Sequence, residues 1–464
     1  MLEFVYTLLG GFYTALPFVI VFLFALGLVF LVAGLFMTPL VGAAAILLLF
    51  LVETANGYLF AFNLALKVYP QDLLFAPMAG VAFLRLMRPG AAVRLPRSLL
   101  LLIALMVGAF LLGLVKNGTA SGVEFRGDFY YMTGIVYFAS FEWSRERIAR
   151  MLGWLFPVVL MTLLVVCYRW VADATGLDWV EPVWRYMDST GVALRVINSQ
   201  QTWMLGVAMI LLVYAMASGN SLAGWRFLLP LLALAVLVLQ HRSVWVAAFL
   251  PALLAFFIVR QNQGRLAGRM LVIAGVTALV LGPLLATGKL SSATSSVADL
   301  ASKATSTTEG TFVGRVKGWD ALLSQWAGAG PRAWVMGEPY GSGFKRPEGR
   351  SGKEVAYAPH NYYVQFLLRH GLIGLAAFVA FNLYLFRGAI RLADKPYDNM
   401  TGYAMLGILM SFALFNIPYS PTYTQGLFLG VVLGLVLQYQ QKPATAEDQS
   451  ARATRMWHTG GVQP

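Results

Sequence analysis

The run Pro359-His360-Asn361-Tyr362-Tyr363-Val364-Gln365-Phe366-Leu367-Leu368-Arg369-His370-Gly371-Leu372-Ile373-Gly374 closes the one long polar stretch of an otherwise apolar chain. It places an imidazole, which titrates near neutral pH, where a polar loop meets an apolar helix. The chain has only four histidines, so one at this border invites a chemical role. Pro359 restricts Ala358 to extended backbone, and a helix is expected to begin at His360 or Asn361, with Asn361 as its N-cap. His360 then either caps this helix and bonds a loop carbonyl, or serves as an acid–base group. His370, between Arg369 and Gly371, reads as an interfacial or helix-end residue.

A second constellation is Gln240-His241-Arg242-Ser243-Val244-Trp245, where two apolar runs turn with almost no loop and Arg242 stands at the tip. A charge at that depth either snorkels beside an interfacial Trp or presents its fixed donor fork to phosphate oxygens. Arg315, with Trp319 one helical turn onward, is either a solvated surface residue or a further anion contact. Arg126 and Arg195 fall at the same predicted border and are reserve members of an anion site. No H-E-x-x-H, paired cysteines or carboxylate cluster suggests a metal, no P-loop suggests ATP hydrolysis, and no G-x-S-x-G elbow suggests a serine hydrolase. No metal site and no cofactor are expected.

These residues must be positioned by elements that live in lipid. Apolar residues make up 59% of the 464, charged residues 12%, and mean hydropathy is +0.69, where a soluble domain carries roughly 25% charged residues. Runs long enough to cross about 30 Å of hydrocarbon are read near 17–36, 39–58, 70–87, 98–115, 128–143, 152–172, 200–217, 226–240, 243–259, 270–287, 372–386, 402–417 and 422–438. The expected fold is all-α, a polytopic bundle of about 12–14 spans, because helices or closed barrels alone satisfy their backbone inside lipid, and short alternating strands are absent.

The net charge of +13 is not a nucleic-acid signal. Its arginines cluster at 85–97, 145–150, 260–269 and 387–395, in connections that alternate with positive-poor ones, as the positive-inside rule describes. Those connections, with 218–225 and the tail, are assigned to the cytoplasm. The connections 116–127, 173–199, 241–242 and 288–371 then face outward. No cleavable signal peptide is expected, and Cys167, the single cysteine, offers no intrachain disulfide. The chain divides into N-terminal membrane helices over 1–287, an outward loop with interfacial helices over 288–371, C-terminal membrane helices over 372–439 and a disordered cytoplasmic tail over 440–464. Within the loop, Ser291 to Thr311 is Ser/Thr/Ala-rich and expected to be mobile. Phe312 to Leu323 reads as an amphipathic helix, Gly337 to Phe344 as turns, and residues 360–370 as an interfacial helix feeding a span from Leu372. Nine basic against six acidic residues over 288–359 suit an anionic partner.

The chain resembles the O-antigen ligase superfamily, which includes lipopolysaccharide O-antigen ligases and Wzy-type polysaccharide polymerases. The resemblance runs over roughly residues 190–440 and rests on His360-Asn361 to Gly374, on Arg242-Ser243 and on Val313-Gly314-Arg315 with Trp319. The Arg242 motif departs from the family's usual Ser-Arg order, with His241 preceding the arginine. The resemblance implies a C-type, lipid-dependent glycosyltransferase fold and a metal-independent enzyme in the bacterial inner membrane, its site facing the periplasm. The implied donor is an undecaprenyl-diphosphate-linked oligosaccharide. Arg242 and Arg315 would hold its diphosphate, and His360 would be the base for the acceptor hydroxyl. The aromatic tip after Arg242 favours a Wzy-like exopolysaccharide or O-antigen polymerase, with transfer to a lipid A core by a ligase as the alternative. The expected partners are that donor, a glycan or lipid A core acceptor, membrane lipid and other polysaccharide assembly proteins, with no nucleic acid. A flippase for lipid-linked sugars is the reading of another class. It would show internal repeats and charges deep inside spans, whereas here the charges cluster at one border.

Overall fold

A computed structural model describes residues 26–56, 61–63, 67–88, 94–175, 186–187, 193–217, 221–239, 241–262, 311–347, 354–394 and 399–441 of the chain. The expected span 270–287, the stretch 291–310, residues 2–16 and the tail from 442 lie outside the described residues. The described helices are α1 (Leu26–Met37), α2 (Pro39–Asn56), α3 (Pro70–Met87), α4 (Arg97–Asn117), α5 (Thr119–Ala139), α6 (Arg145–Thr175), α7 (Ser199–Ala217), α8 (Leu228–Val238), α9 (Arg242–Asn262), α10 (Thr311–Gly328), α11 (Pro331–Met336), α12 (Tyr362–Ala393), α13 (Asn399–Phe415) and α14 (Tyr423–Gln441). Among the described residues, strands are confined to three two-stranded hairpins, 62–63 with 67–68, 186–187 with 193–195, and 346–347 with 354–355. The fold is an all-α polytopic membrane bundle. Among the described residues, five helices, α2, α4, α6, α7 and α12, are long and apolar enough to cross a membrane.

Most helix boundaries follow the apolar runs, but α6 starts at Arg145, inside an expected connection, and α5 also starts early. Helix α5 begins at Thr119, straight after the Gly118 turn, although residues 116–127 read as a connection. Its first turns carry Glu124, Arg126 and Asp128. Each has a partner from another element: Arg369 for Glu124, Asp72 for Arg126 and Tyr340 for Asp128. Glu53 lies near the end of α2, where the Tyr423 hydroxyl donates to its carboxylate at 2.6 Å. Polar groups paired this way lose most of their burial cost.

Helices α7 and α14 run through the interior, whereas α4 turns Leu100, Leu111 and Val115 outward, as a lipid-facing helix does. Helix α14 approaches α5 through Gly426, Gly430 and Gly434, a small residue on every turn. A Cβ at Gly430 would stand 2.7 Å from the Phe138 Cβ and 2.8 Å from the Gly134 carbonyl oxygen. The two backbones are therefore in contact along this seam.

Helix α12 joins the expected interfacial helix to the expected span, with a bend between them at Gly371, φ 61° and ψ −164°. Short helix α11 docks there. The Glu338 amide donates to the Leu368 carbonyl at 2.8 Å, and the backbone of Val335–Met336 fills the space a Gly371 side chain would need. Above the bundle, α10 packs on this assembly through a small core of Leu322, Phe344 and Leu368.

Candidate functional site at one end of the bundle

The ends of α2, α4, α6, α8 and α13 meet the starts of α3, α5, α7, α9, α12 and α14 at a single end of the bundle, and named bonds tie them together. Arg169 of α6 donates to the carbonyls of Val196, 2.8 Å, and Ala55, 3.1 Å. Asn117 and Ser121 donate to the Tyr340 carbonyl at 2.7 and 2.9 Å. The Tyr362 amide donates to the Asn416 carbonyl at 3.0 Å. Arg85, with bonds to the carbonyls of Phe36 and Ser140, lies at the opposite end.

His360 precedes α12 in a left-handed conformation, φ 50°, the only non-glycine residue of that kind among those described. A left-handed non-glycine residue is strained, and such strain gathers where function holds it. Asn361 is the expected N-cap: its Oδ1 accepts from the Val364 amide at 3.1 Å. His360 is thus released from capping. The turn is gripped by α10, whose Trp319 indole donates to the Pro359 carbonyl at 2.6 Å. The Tyr357 ring lies 5.5 Å from the imidazole.

Two guanidiniums act on this imidazole. Arg346 is buried and donates to the carbonyls of Tyr357, 2.7 Å, and Phe344, 3.0 Å, with its charge 4.8 Å over the Tyr357 ring. It nests against Gly318 of α10, where a Cβ would stand 3.0 Å from its Nε. Arg315 is the second. The surrounding protein, then Arg315 and Arg346, push the His360 pKa down to about 4, even though the residue keeps an exposed face. Its imidazole is therefore neutral at physiological pH and free to accept a proton.

Arg315 leads to a residue not singled out from sequence. Its Nη1 donates to the Pro418 carbonyl at 3.2 Å, and its guanidinium lies 5.2 Å from the centre of the Tyr419 ring. Burial alone would raise the Tyr419 pKa, but the Arg315 charge, with the Ser243 and Ser199 hydroxyls nearby, outweighs it, and the phenol is more acidic than usual. Ser199 opens α7 and Ser243 is the second residue of α9. Helix starts carry unpaired amides and positive partial charge. Among the residues expected from sequence, Arg315 and His360 are brought together, and Arg242 begins the helix whose Ser243 reaches Tyr419. His241, which breaks the usual Ser-Arg order, is buried with Nε2 3.0 Å from the Ile197 carbonyl. It thereby ties the start of α9 to the start of α7.

The two reserve arginines are placed differently. Arg195 ends the 193–195 strand, whose backbone leads into α7. Arg126 is engaged on the α3 side, 3.3 Å from Asp72, donating to the Lys67 carbonyl at 2.9 Å and lying over Tyr69.

Arg369 and His370 are buried rather than interfacial. Arg369 pairs with Glu124 and donates to Ser342 and the Gly343 carbonyl. The His370 Nε2 lies 3.1 Å from the Tyr340 hydroxyl, which donates to Asp128 at 2.8 Å. This network fastens the 337–344 turn onto α5. Its members are scattered along the chain, and the one local hint is the density of ionisable residues in α5.

The site can therefore bind an anion beside a neutral imidazole. Among the described residues, no group of three or more His, Cys, Asp or Glu is arranged to hold a metal ion. The family model described as O-antigen ligase matches residues 227–379, which bears out the superfamily resemblance and supports a membrane enzyme of the glycosyltransferase type. That span covers α8, α9, α10, α11 and the first part of α12. No curated protein matches the chain.

Proposed function

With residues 227–379 matching the O-antigen ligase family as premise, we propose that this protein moves a glycan from a lipid diphosphate onto an acceptor hydroxyl at the periplasmic face of the inner membrane. The observation that carries the reading is the meeting of Arg315, the starts of α7 and α9, and the His360 turn at one end of the bundle. The donor is an undecaprenyl-diphosphate-linked oligosaccharide, and the enzyme works as a Wzy-like polymerase whose acceptor is another lipid-linked repeat.

In the proposed step the acceptor oxygen attacks the anomeric carbon. The bond from that carbon to the phosphate oxygen breaks, and the electron pair leaves with undecaprenyl diphosphate. His360 takes the acceptor proton and later releases it to water. Arg242 and Arg315 stabilise the negative charge that grows on the departing diphosphate. Diphosphate is already stable as an anion, so no general acid is needed. An imidazole near pKa 4 is a weak base, but a bound diphosphate would offset the guanidinium that depresses it. The base would then strengthen when the donor is in place.

The test supplies purified protein with undecaprenyl-diphosphate-linked repeats, alone and then with lipid A core, and follows product length on a gel. Elongation without core is the expected result. Transfer solely in the presence of core would make the protein a ligase. Full activity of a correctly inserted His360→Ala would remove His360 from the reaction.

A further inference from the structure

Resting on the donor reading above, we propose that the Tyr419 hydroxyl is a further donor-binding group, giving a hydrogen bond to the diphosphate beside Arg315. Tyr419 lies in the short link between α13 and α14, and its ring stacks on Phe415 with centroids 4.9 Å apart and planes inclined by 25°. Arg315 approaches the same ring and is held by the carbonyl of the preceding Pro418. The ring is thus fixed by both neighbours, and its position does not depend on the hydroxyl.

Arg315 stands 5.2 Å from the ring centre, and the Ser199 and Ser243 hydroxyls of two helix starts also act on the phenol. A guanidinium can donate only, and Arg315 gives a bond to the Pro418 carbonyl, so it does not take the phenol's hydrogen. The phenol's own hydrogen is then directed to a serine oxygen or to a bound acceptor. A hydroxyl so placed, and more acidic than an ordinary phenol, is a strong hydrogen-bond donor toward an anion. It stands among the groups that would bind a phosphate oxygen.

Two roles are separable. If Tyr419 only props Arg315 through its ring, Tyr419→Phe keeps that contact and changes nothing. If the hydroxyl contacts the donor, the same change removes one hydrogen bond to a charged group, about a 10-fold loss in affinity. The experiment uses the full chain in detergent or nanodiscs, with undecaprenyl diphosphate and inorganic diphosphate as separate probes for a lipid-held and a free anion. Expected are binding by the wild type, a loss of about 10-fold for both probes in Tyr419→Phe with unaltered thermal stability, and a larger loss in Tyr419→Leu. In ultraviolet difference spectra, a phenolate that titrates early in the wild type should vanish in Tyr419→Phe and respond to diphosphate. Wild-type affinity in Tyr419→Phe would overturn this proposal alone. Failure of the wild type to bind either probe would overturn the donor site itself and this proposal with it.

Discussion

The Trp319 indole donates to the Pro359 carbonyl 2.6 Å away, so helix α10, which carries Arg315, and the turn that carries His360 are joined directly. The proposed anion ligand and the proposed base are thereby held in one frame. The joint spans a wide gap in sequence but a single hydrogen bond in space. Rate in such a site depends on fixed geometry, since small misplacements of reacting groups are costly.

His360 is strained at φ 50°, and the strain should separate stability from function. A glycine there relieves the steric cost of a left-handed residue, whereas alanine keeps it, a difference of about 1 kcal/mol. His360→Gly should therefore melt above His360→Ala while both lose transferase activity. Thermal unfolding beside the gel assay measures both, and equal melting would mean that the turn relaxes without the imidazole.

The depressed His360 pKa of about 4, caused by surrounding protein and then by Arg315 and Arg346, sets two pH dependences. Between about pH 4 and the ordinary value near 6.5 the unfolded chain binds this proton and the folded protein does not. The contribution to stability is full above 6.5 and falls away as pH drops toward 4. For catalysis, the acid limb of kcat/KM should lie near pH 4, with that of kcat higher once the donor offsets Arg315. Four histidines make selective isotope labelling practical. The His360 resonance should titrate near 4 alone and move upward with inorganic diphosphate. A midpoint near 6.5 in the free protein would contradict the electrostatic picture.

Arg369 and Glu124 form a buried ion pair, with side-chain exposures of 2% and 14%. Removing one member strands the other, which typically costs about 3 kcal/mol or more. Arg369→Met also frees Ser342 and Gly343. It should lower the melting temperature and make the 337–344 turn sensitive to protease. The double change with Glu124→Met should recover part of the loss, and strict additivity would show that the pair is not coupled.

Gly430 sits in the seam between α14 and α5. Gly430→Ala should cost about 1–3 kcal/mol by overpacking, because its Cβ would press on Phe138 and Gly134. Gly108→Ala, which meets open space on α4, is the control and should be neutral or mildly stabilising. Thermal unfolding of both variants in detergent decides the matter.

What the sequence by itself determined is local and periodic. Apolar runs dictated where helices cross, since backbone in lipid has no other partner. Pro359 and Asn361 dictated the start of α12, because a proline and an N-cap act within a few residues. His360, Arg242 and Arg315 stood out by their placement at one border. Tertiary structure alone decided what those residues face. Tyr419 lies in an ordinary-looking link, Asn416-Ile417-Pro418-Tyr419-Ser420-Pro421-Thr422, and becomes notable only because α10 brings Arg315 over its ring and α7 and α9 bring Ser199 and Ser243 near it. Nothing local marks Arg346 or Arg369, and His370 read as an interfacial or helix-end residue. Their partners, on Tyr357, Glu124 and Tyr340, are found by packing rather than by spacing. Charge and hydrogen bonding act through space at a few ångströms, and sequence separation carries no record of that distance.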